Sequence, residues 1–192
     1  QKERGFEEIS GSKMFPTRAC TQELNDSMKT AITKASDDGD SVGGVITCII
    51  DGLDIGFGGI WFDALDVSLA RMMFSIPAVK GVEFGKGFDI ARMKGSESND
   101  QYKVVNGKIS SDTNNMGGIC GGMCDGMPVT FNVAVKPTPS ISKEQETVNL
   151  EEMRTDRLSI KGRHDPCIVP RAVTVVEAMA AITVMDQYLM QS

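Results

Sequence analysis

The residues from Lys161 to Arg171 (Lys-Gly-Arg-His-Asp-Pro-Cys-Ile-Val-Pro-Arg) hold a dense set of reactive side chains. The only histidine, His164, sits beside a carboxylate, Asp165, and three cations, Lys161, Arg163 and Arg171. A carboxylate so placed can accept or tune a proton, and guanidinium and ammonium groups can hold an anion such as a phosphate. Pro166, Pro170 and Gly162 fix the path of the chain, which is what a positioned acid–base group needs. A rigid connection closed by an Arg–Asp pair would use the same residues, with His164 a structural histidine.

Three other stretches have comparable chemistry. Lys136-Pro-Thr-Pro-Ser140 ends an alternating apolar run with a cation, two prolines and two hydroxyls, and such a strand end can grip a phosphate. A plain edge-strand terminator would read the same way. Gly117-Gly-Ile-Cys-Gly-Gly122 is too rich in glycine for an ordinary strand; it suits a turn that lets backbone approach a flat or anionic ligand, or a β-bulge. Its spacing fits neither common nucleotide-binding glycine loop. Ser75-Ile-Pro-Ala-Val-Lys-Gly81 forms a helix-to-strand corner, and Gly95-Ser-Glu-Ser-Asn-Asp100 a polar turn.

The elements that must position these segments follow from periodicity. Thr21 caps a helix with apolar residues at Leu24, Met28, Ala31, Ile32 and Ala35, stopped by Asp37-Asp38-Gly39. Val45 to Ile50 and Leu53 to Phe57 flank Asp51-Gly52, predicting a tight hairpin. A second helix follows Trp61, with Phe62, Leu65, Leu69, Met72 and Met73 on one face and Asp63 and Asp66 near its positive end. Pro77 ends it, and Val79 to Phe84 reads as a strand. Asn106-Gly107 and Asp125-Gly126 mark two further hairpins, the latter before the alternation of Val129, Phe131, Val133 and Val135. Residues 141 to 156 read as a surface loop with some helix, and Arg157 to Lys161 as a short strand. The apolar residues of Ala172 to Met190 lie on all sides, predicting a helix covered on most of its surface, with Pro170 at its start.

Composition bounds the whole. The 192 residues suit one domain or one large lobe, with 41% hydrophobic and 24% charged residues. A formal charge of −6 argues against nucleic acid as the main partner, so an anionic ligand needs local positive charge. Five cysteines (20, 48, 120, 124 and 167) contain no C-x-x-C pair, and with one histidine no metal site is expected; they read as reduced thiols. No stretch reads as a membrane span or a signal peptide.

Taken together, the corner at 75–85, the turn at 95–100, Thr113-Asn-Asn-Met-Gly-Gly-Ile-Cys-Gly-Gly122, Lys136-Pro-Thr-Pro-Ser-Ile141 and Lys161 to Ala172 closely resemble the chorismate synthase family, in order and in approximate spacing. Asp40-Ser-Val-Gly-Gly-Val45 also fits. Gly59-Ile60 departs from the Glu-Pro common there, and Ser98 from an aromatic or histidine. The likeness runs from about Arg18 to the C-terminus, so residues 1–17 are expected to be an irregular leader and 18–192 the C-terminal part of a longer family chain. The family's serine/histidine and arginine-rich motifs belong to the missing N-terminal half.

The resemblance implies an α+β fold of antiparallel sheets packed against a helical layer. It implies an FMN-dependent lyase of the shikimate pathway, which converts 5-enolpyruvylshikimate 3-phosphate to chorismate by anti 1,4-elimination of phosphate. Reduced FMN is the implied cofactor and NADPH the associated reductant; the complete enzyme would be a cytoplasmic homotetramer without nucleic-acid or membrane partners. Residue by residue, Pro77, Ala78, Gly121, Lys136, Pro137, Thr138, Pro139, Ser140 and Arg163 match flavin-contacting positions, and Asp165 the catalytic aspartate. This chain alone is expected to be inactive. The alternative is a non-catalytic assembly or packing module of the same fold.

Overall fold

The computed structural model describes residues 6–162 and 164–191. In chain order the elements are α1 (Phe6–Ser10), α2 (Gln22–Asp37), β1 (Gly44–Ile50), α3 (Leu65–Phe74), β2 (Val79–Phe84), α4 (Gly95–Ser98), β3 (Tyr102–Val105), β4 (Lys108–Ser111), β5 (Ile119–Cys120), β6 (Met123–Cys124), β7 (Val129–Val135), β8 (Gln145–Asn149), β9 (Arg154–Leu158) and α5 (Val169–Gln191). Short 3₁₀ turns occupy Gly11–Met14, Trp61–Asp63 and Gly87–Arg92. Residues 6–14, expected to be irregular, are therefore helical. The chain divides into two compact units, residues 1–44 with 136–172, and 45–135 with 173–192.

In the first unit α2 begins as its sequence requires, with the Thr21 side chain accepting the Leu24 N–H. Asn25 is buried and accepts from the Thr17 hydroxyl, which ties the preceding segment to the helix. Residues 145–158 form the β8–β9 hairpin, not a loop with helix, and pair Gln145 with Leu158 through Asn149 with Arg154. The one apolar residue of β8, Val148, is itself 62% exposed, so the strand's sequence shows no alternation. Gly44 lies against Val169, whose Cγ2 is 3.3 Å from where a Cβ would stand.

The second unit is built on a three-stranded sheet of order β1-β7-β2. On β7 the expected alternation holds, with Val129, Phe131, Val133 and Val135 buried. β2 pairs antiparallel with it, Phe84 opposite Phe131, and the two rings lie 5.6 Å apart. α3 packs on β2 and contributes Leu65, Leu69 and Met73, all fully buried. Each such side chain contributes about 1.5–3 kcal/mol of burial. Phe62 is not part of that face; it is 83% exposed in the turn before α3.

Of three expected hairpin turns, only Asn106-Gly107 closes the strands it was assigned, β3 and β4, with both residues at positive φ. Asp51-Gly52 closes none. Asp51 accepts the Gly52 N–H locally, and Phe57 O instead accepts from Cys124 N. Asp125-Gly126 likewise turns the chain without closing a hairpin. The hairpin nearby is β5–β6, closed by Gly121-Gly122. The expected cover of α5 is also corrected. Within the second unit, Val176, Ala180, Thr183 and Gln187 form one buried stripe, and most of the remaining surface is exposed. By length and composition alone α5 is apolar enough to cross a membrane, contrary to the sequence expectation.

Candidate functional site

Local chain chemistry sets two groups of candidate residues, one in each unit. In the first unit the segment 39–44 links the two that carry charge. The Ser41 hydroxyl donates to Thr138 O at 2.6 Å, and the next residue's N–H, Val42, donates to Pro166 O at 2.8 Å. Lys136-to-Ser140 and the loop bearing Asp165 are thus both tied to one short stretch of backbone. That stretch is anchored in turn: Gly39 O accepts from Ser142 and Lys143 N, and Asp40 pairs with Lys143 at 2.8 Å. The Lys143 ammonium, aided by the Ser41 N–H, holds the Asp40 carboxyl below the usual carboxylate range.

Within this framework Asp165 is doubly held. Its Oδ1 accepts from Cys167 N at 3.1 Å, and its Oδ2 accepts from the Arg171 guanidinium. The carboxylate is 28% exposed and Arg171 74%, so the pair is solvent-screened. Arg163 lies outside the described residues, and Arg171 is the observed brace. His164 bonds Ile160 O through Nε2 at 2.8 Å, in keeping with a structural histidine.

Lys136 follows β7 directly, is half-buried, and has no carboxylate partner among the described residues. Two residues on, Thr138 Oγ1 is buried with no hydrogen-bond partner among the described residues. A buried hydroxyl left unsatisfied costs about 1–3 kcal/mol, so such an atom points to a ligand. An unpaired ammonium and an orphaned hydroxyl at one strand end fit a phosphate-bearing cofactor. Pro137 and Pro139 restrict the backbone on either side of Thr138, and Ser140 is half-buried.

The second unit positions Pro77, Ala78 and Gly121. Pro77 follows the end of α3, and Ala78 adopts a φ of 73°, an uncommon left-handed conformation for a residue with a Cβ. Backbone strain of this kind concentrates at functional sites. Gly121 and Gly122 form the two-residue turn of β5–β6, with φ of 60° and 89°. A Cβ on Gly122 would stand 2.6 Å from Gly59 O, whereas one on Gly121 would meet nothing within 4 Å. Gly122 is therefore needed for packing, and Gly121 leaves open space where a flat ligand can approach.

One organiser was not singled out from the sequence. Asp100 is buried and accepts from the Thr113 hydroxyl at 2.6 Å, Asn115 N at 2.8 Å and Met116 N at 2.9 Å. It joins the 95–100 turn to the glycine-rich loop, two motifs read separately. Beside it, Asn99, Gln101, Tyr102, Met116 and Cys120 line an open cavity of about 400 Å³ with Asp100. Tyr102 donates to Asp125 at 2.8 Å; burial, followed by this bond, raises its pKa.

Comparison with known proteins places these features. The sequence model of the chorismate synthase family matches residues 5–189 and so includes most of the expected leader. The chain is 51% identical over 176 residues to chorismate synthase of Korarchaeum cryptofilum (strain OPF8), covering 92% of this chain and 49% of that protein. With the Methanosarcina barkeri (strain Fusaro / DSM 804) chorismate synthase it shares 45% identity over 189 residues, 98% of this chain and 52% of the relative. A crystal structure of chorismate synthase superposes with a TM-score of 0.78 and 30% identity, covering 96% of this chain and 48% of that one. The chain thus spans about half the length of the relatives it matches. The mixture of helices and antiparallel strands agrees with that architecture. This chain belongs to the chorismate synthase family.

Proposed function

We propose that this chain supplies the C-terminal half of a chorismate synthase, the lyase that eliminates phosphate from 5-enolpyruvylshikimate 3-phosphate in the shikimate pathway. The observation that carries the cofactor assignment is the buried Thr138 hydroxyl, without a partner among the described residues, two residues from Lys136, which has no carboxylate partner among them. When bound, reduced FMN supplies electron density that eases departure of phosphate, and a nitrogen that takes up hydrogen.

The chain's own residues bind and orient. Lys136, with Arg163, places positive charge toward an anionic flavin or its phosphate, and Thr138 donates its hydroxyl. Pro137 and Pro139 stiffen that segment, and Ser140 follows with a second hydroxyl. Pro77 and Ala78 form a stiff corner, and Gly121 leaves room for a ring face. Asp165, fixed by Cys167 N and Arg171, holds a carboxylate that exchanges a proton at the flavin. In the complete enzyme we assign NADPH as reductant, a cytoplasmic location and a homotetramer; these three follow from the family reading alone.

A second reading, a non-catalytic packing module of the same fold, is favoured by the half-length coverage. A full-length chimera separates the two: this chain joined behind the complementary half of the M. barkeri relative. Reduced FMN and the enolpyruvyl substrate should give chorismate with the chimera and none with the 192-residue chain. Lys136→Ala in the chimera should weaken FMN by about 10- to 150-fold, the worth of a charge-assisted bond. Unchanged FMN affinity removes Lys136 from the site, and no turnover by a folded chimera favours the packing module.

A further inference from the structure

β7 ends at Val135, so residues 137–140 lie beyond the strand ladder. Pro137 and Pro139 also lack the N–H groups with which a strand could be continued. Thr138 therefore needs another hold, and a side chain distant in sequence supplies it. The Ser41 hydroxyl donates to Thr138 O at 2.6 Å, across 97 residues. A longer bond, from Gln145 Nε2 to Pro139 O at 3.3 Å, is exposed.

Ser41 is itself held from both sides. Its N–H donates to Asp40 Oδ1 at 2.8 Å, and Asp40 Oδ2 accepts from Lys143 Nζ at 2.8 Å. Just before it, Gly39 O accepts from Ser142 N and Lys143 N. Just after it, Val42 N–H donates to Pro166 O, and Gly44 packs against Val169. A donor whose own backbone is fixed loses little further freedom in making its bond. At Thr138 the backbone end is thus tied while the side-chain end stays open: the carbonyl is satisfied, and the buried Oγ1 has no partner among the described residues. Tying the carbonyl fixes the peptide plane, and a β-branched side chain has few χ1 choices on a fixed backbone. Oγ1 is held in one direction before any ligand arrives.

We infer that Ser41 is a positioning residue for the cofactor: by holding the Thr138 carbonyl it aims the Thr138 hydroxyl at the flavin, from the same strap that holds the Asp165 loop through Val42. The inference deepens the flavin reading and rests on it. Ser41 touches neither cofactor nor substrate in this account; it acts through Thr138 by pre-organisation, which saves the ordering that binding would otherwise require. Lys136 adjoins the end of β7, so Thr138 is the contact that depends on the strap.

A double-mutant cycle in the full-length chimera tests this, read as FMN affinity by fluorescence titration. Ser41→Ala should raise the FMN Kd about 5- to 12-fold, within the worth of one neutral hydrogen bond. In a Thr138→Val background the same change should add less than about 2-fold, because no hydroxyl is left to aim. Ser41→Thr keeps the donor and should bind FMN as the parent does. An unchanged Kd in Ser41→Ala, effects of Ser41→Ala and Thr138→Val that add in full, or a Ser41→Thr as weak as Ser41→Ala each overturn the inference and leave the flavin site standing. A Thr138→Val chimera with the parent's Kd removes Thr138 from the flavin site, and the inference with it. The 192-residue chain gives a readout without flavin or partner half, the order of the Thr138 methyl group by NMR relaxation. That methyl should be rigid in the parent and mobile in Ser41→Ala, while the methyl of Thr183, buried on α5, stays rigid in both. Equal order at Thr138 in the two chains overturns the inference whether or not the chimera folds.

Discussion

Replacing Thr138 by valine should change stability and cofactor affinity in opposite directions. Valine keeps the β-branched shape but deletes Oγ1, the buried atom without a partner. The backbone contact survives, because Ser41 donates to the Thr138 carbonyl and not to its side chain. Removing an unsatisfied buried hydroxyl should recover about 1–2 kcal/mol in the ligand-free 192-residue chain. At about 2–4 °C per kcal/mol for a chain of this size, Tm should rise by roughly 2–8 °C in differential scanning calorimetry. In the full-length chimera the same substitution removes a donor to a charged cofactor, worth about 1.5–3 kcal/mol, and the FMN Kd should rise about 10- to 150-fold by fluorescence titration. A lower Tm would show that the hydroxyl is already satisfied. An unchanged Kd would show that it does not face the flavin. Either result refutes the reasoning.

Gln187→Leu strands the acceptor Asp63 O and leaves Ser68 without its partner, so it should cost about 2–4 kcal/mol by chemical denaturation. Gly122→Ala should destabilise the chain more than Gly121→Ala, since only the former meets backbone, while Gly121→Ala should weaken FMN more; equal effects would contradict the division of roles. Cys48, whose thiol burial and then the Glu177 charge push up to about 12, should hold about 10³-fold less thiolate at pH 8 than an ordinary cysteine and alkylate well after the exposed Cys120. Because its folded value is raised above 9.0, this thiol's contribution to stability is fully present below about pH 9 and is lost as pH rises toward 12, which a pH series of melting curves can follow.

Much of the architecture was legible where one local rule decided alone. The Thr21 cap, the Asn106-Gly107 turn and the strict alternation of Val129 to Val135 each specify their element without reference to the rest of the chain. Asp51-Gly52 and Asp125-Gly126 failed because a dipeptide can turn the chain without choosing which strands pair. In the fold Cys124 takes Phe57 as its partner, and Gly121-Gly122 closes the neighbouring hairpin. The helix of 169–191 was read correctly as apolar on all sides, but from residue 173 on the buried positions form one stripe, Val176, Ala180, Thr183 and Gln187, because apolar composition alone does not decide which faces are covered. At the site, the residues carried by family motifs were legible by number. What sequence could not supply was their wiring: Ser41 and Val42 clasping Thr138 and Pro166, and Asp100 gathering three donors from a loop more than ten residues away.

The role of Asp165 is the most direct test of the account. In the structure the Arg171 side of its ion pair is exposed and the carboxylate partly so, and an asparagine can still accept the Cys167 N–H through its side-chain oxygen. Asp165→Asn should therefore cost less than about 1 kcal/mol of stability, as screened pairs do. As the proton-exchanging group beside the flavin, its loss should lower the rate of chorismate formation by about 10²–10⁴. Single-turnover kinetics of the full-length chimera, with reduced FMN and 5-enolpyruvylshikimate 3-phosphate, should show that drop at an unchanged melting temperature. A normal single-turnover rate together with a lowered melting temperature would make Asp165 a brace for Arg171 and contradict its catalytic assignment.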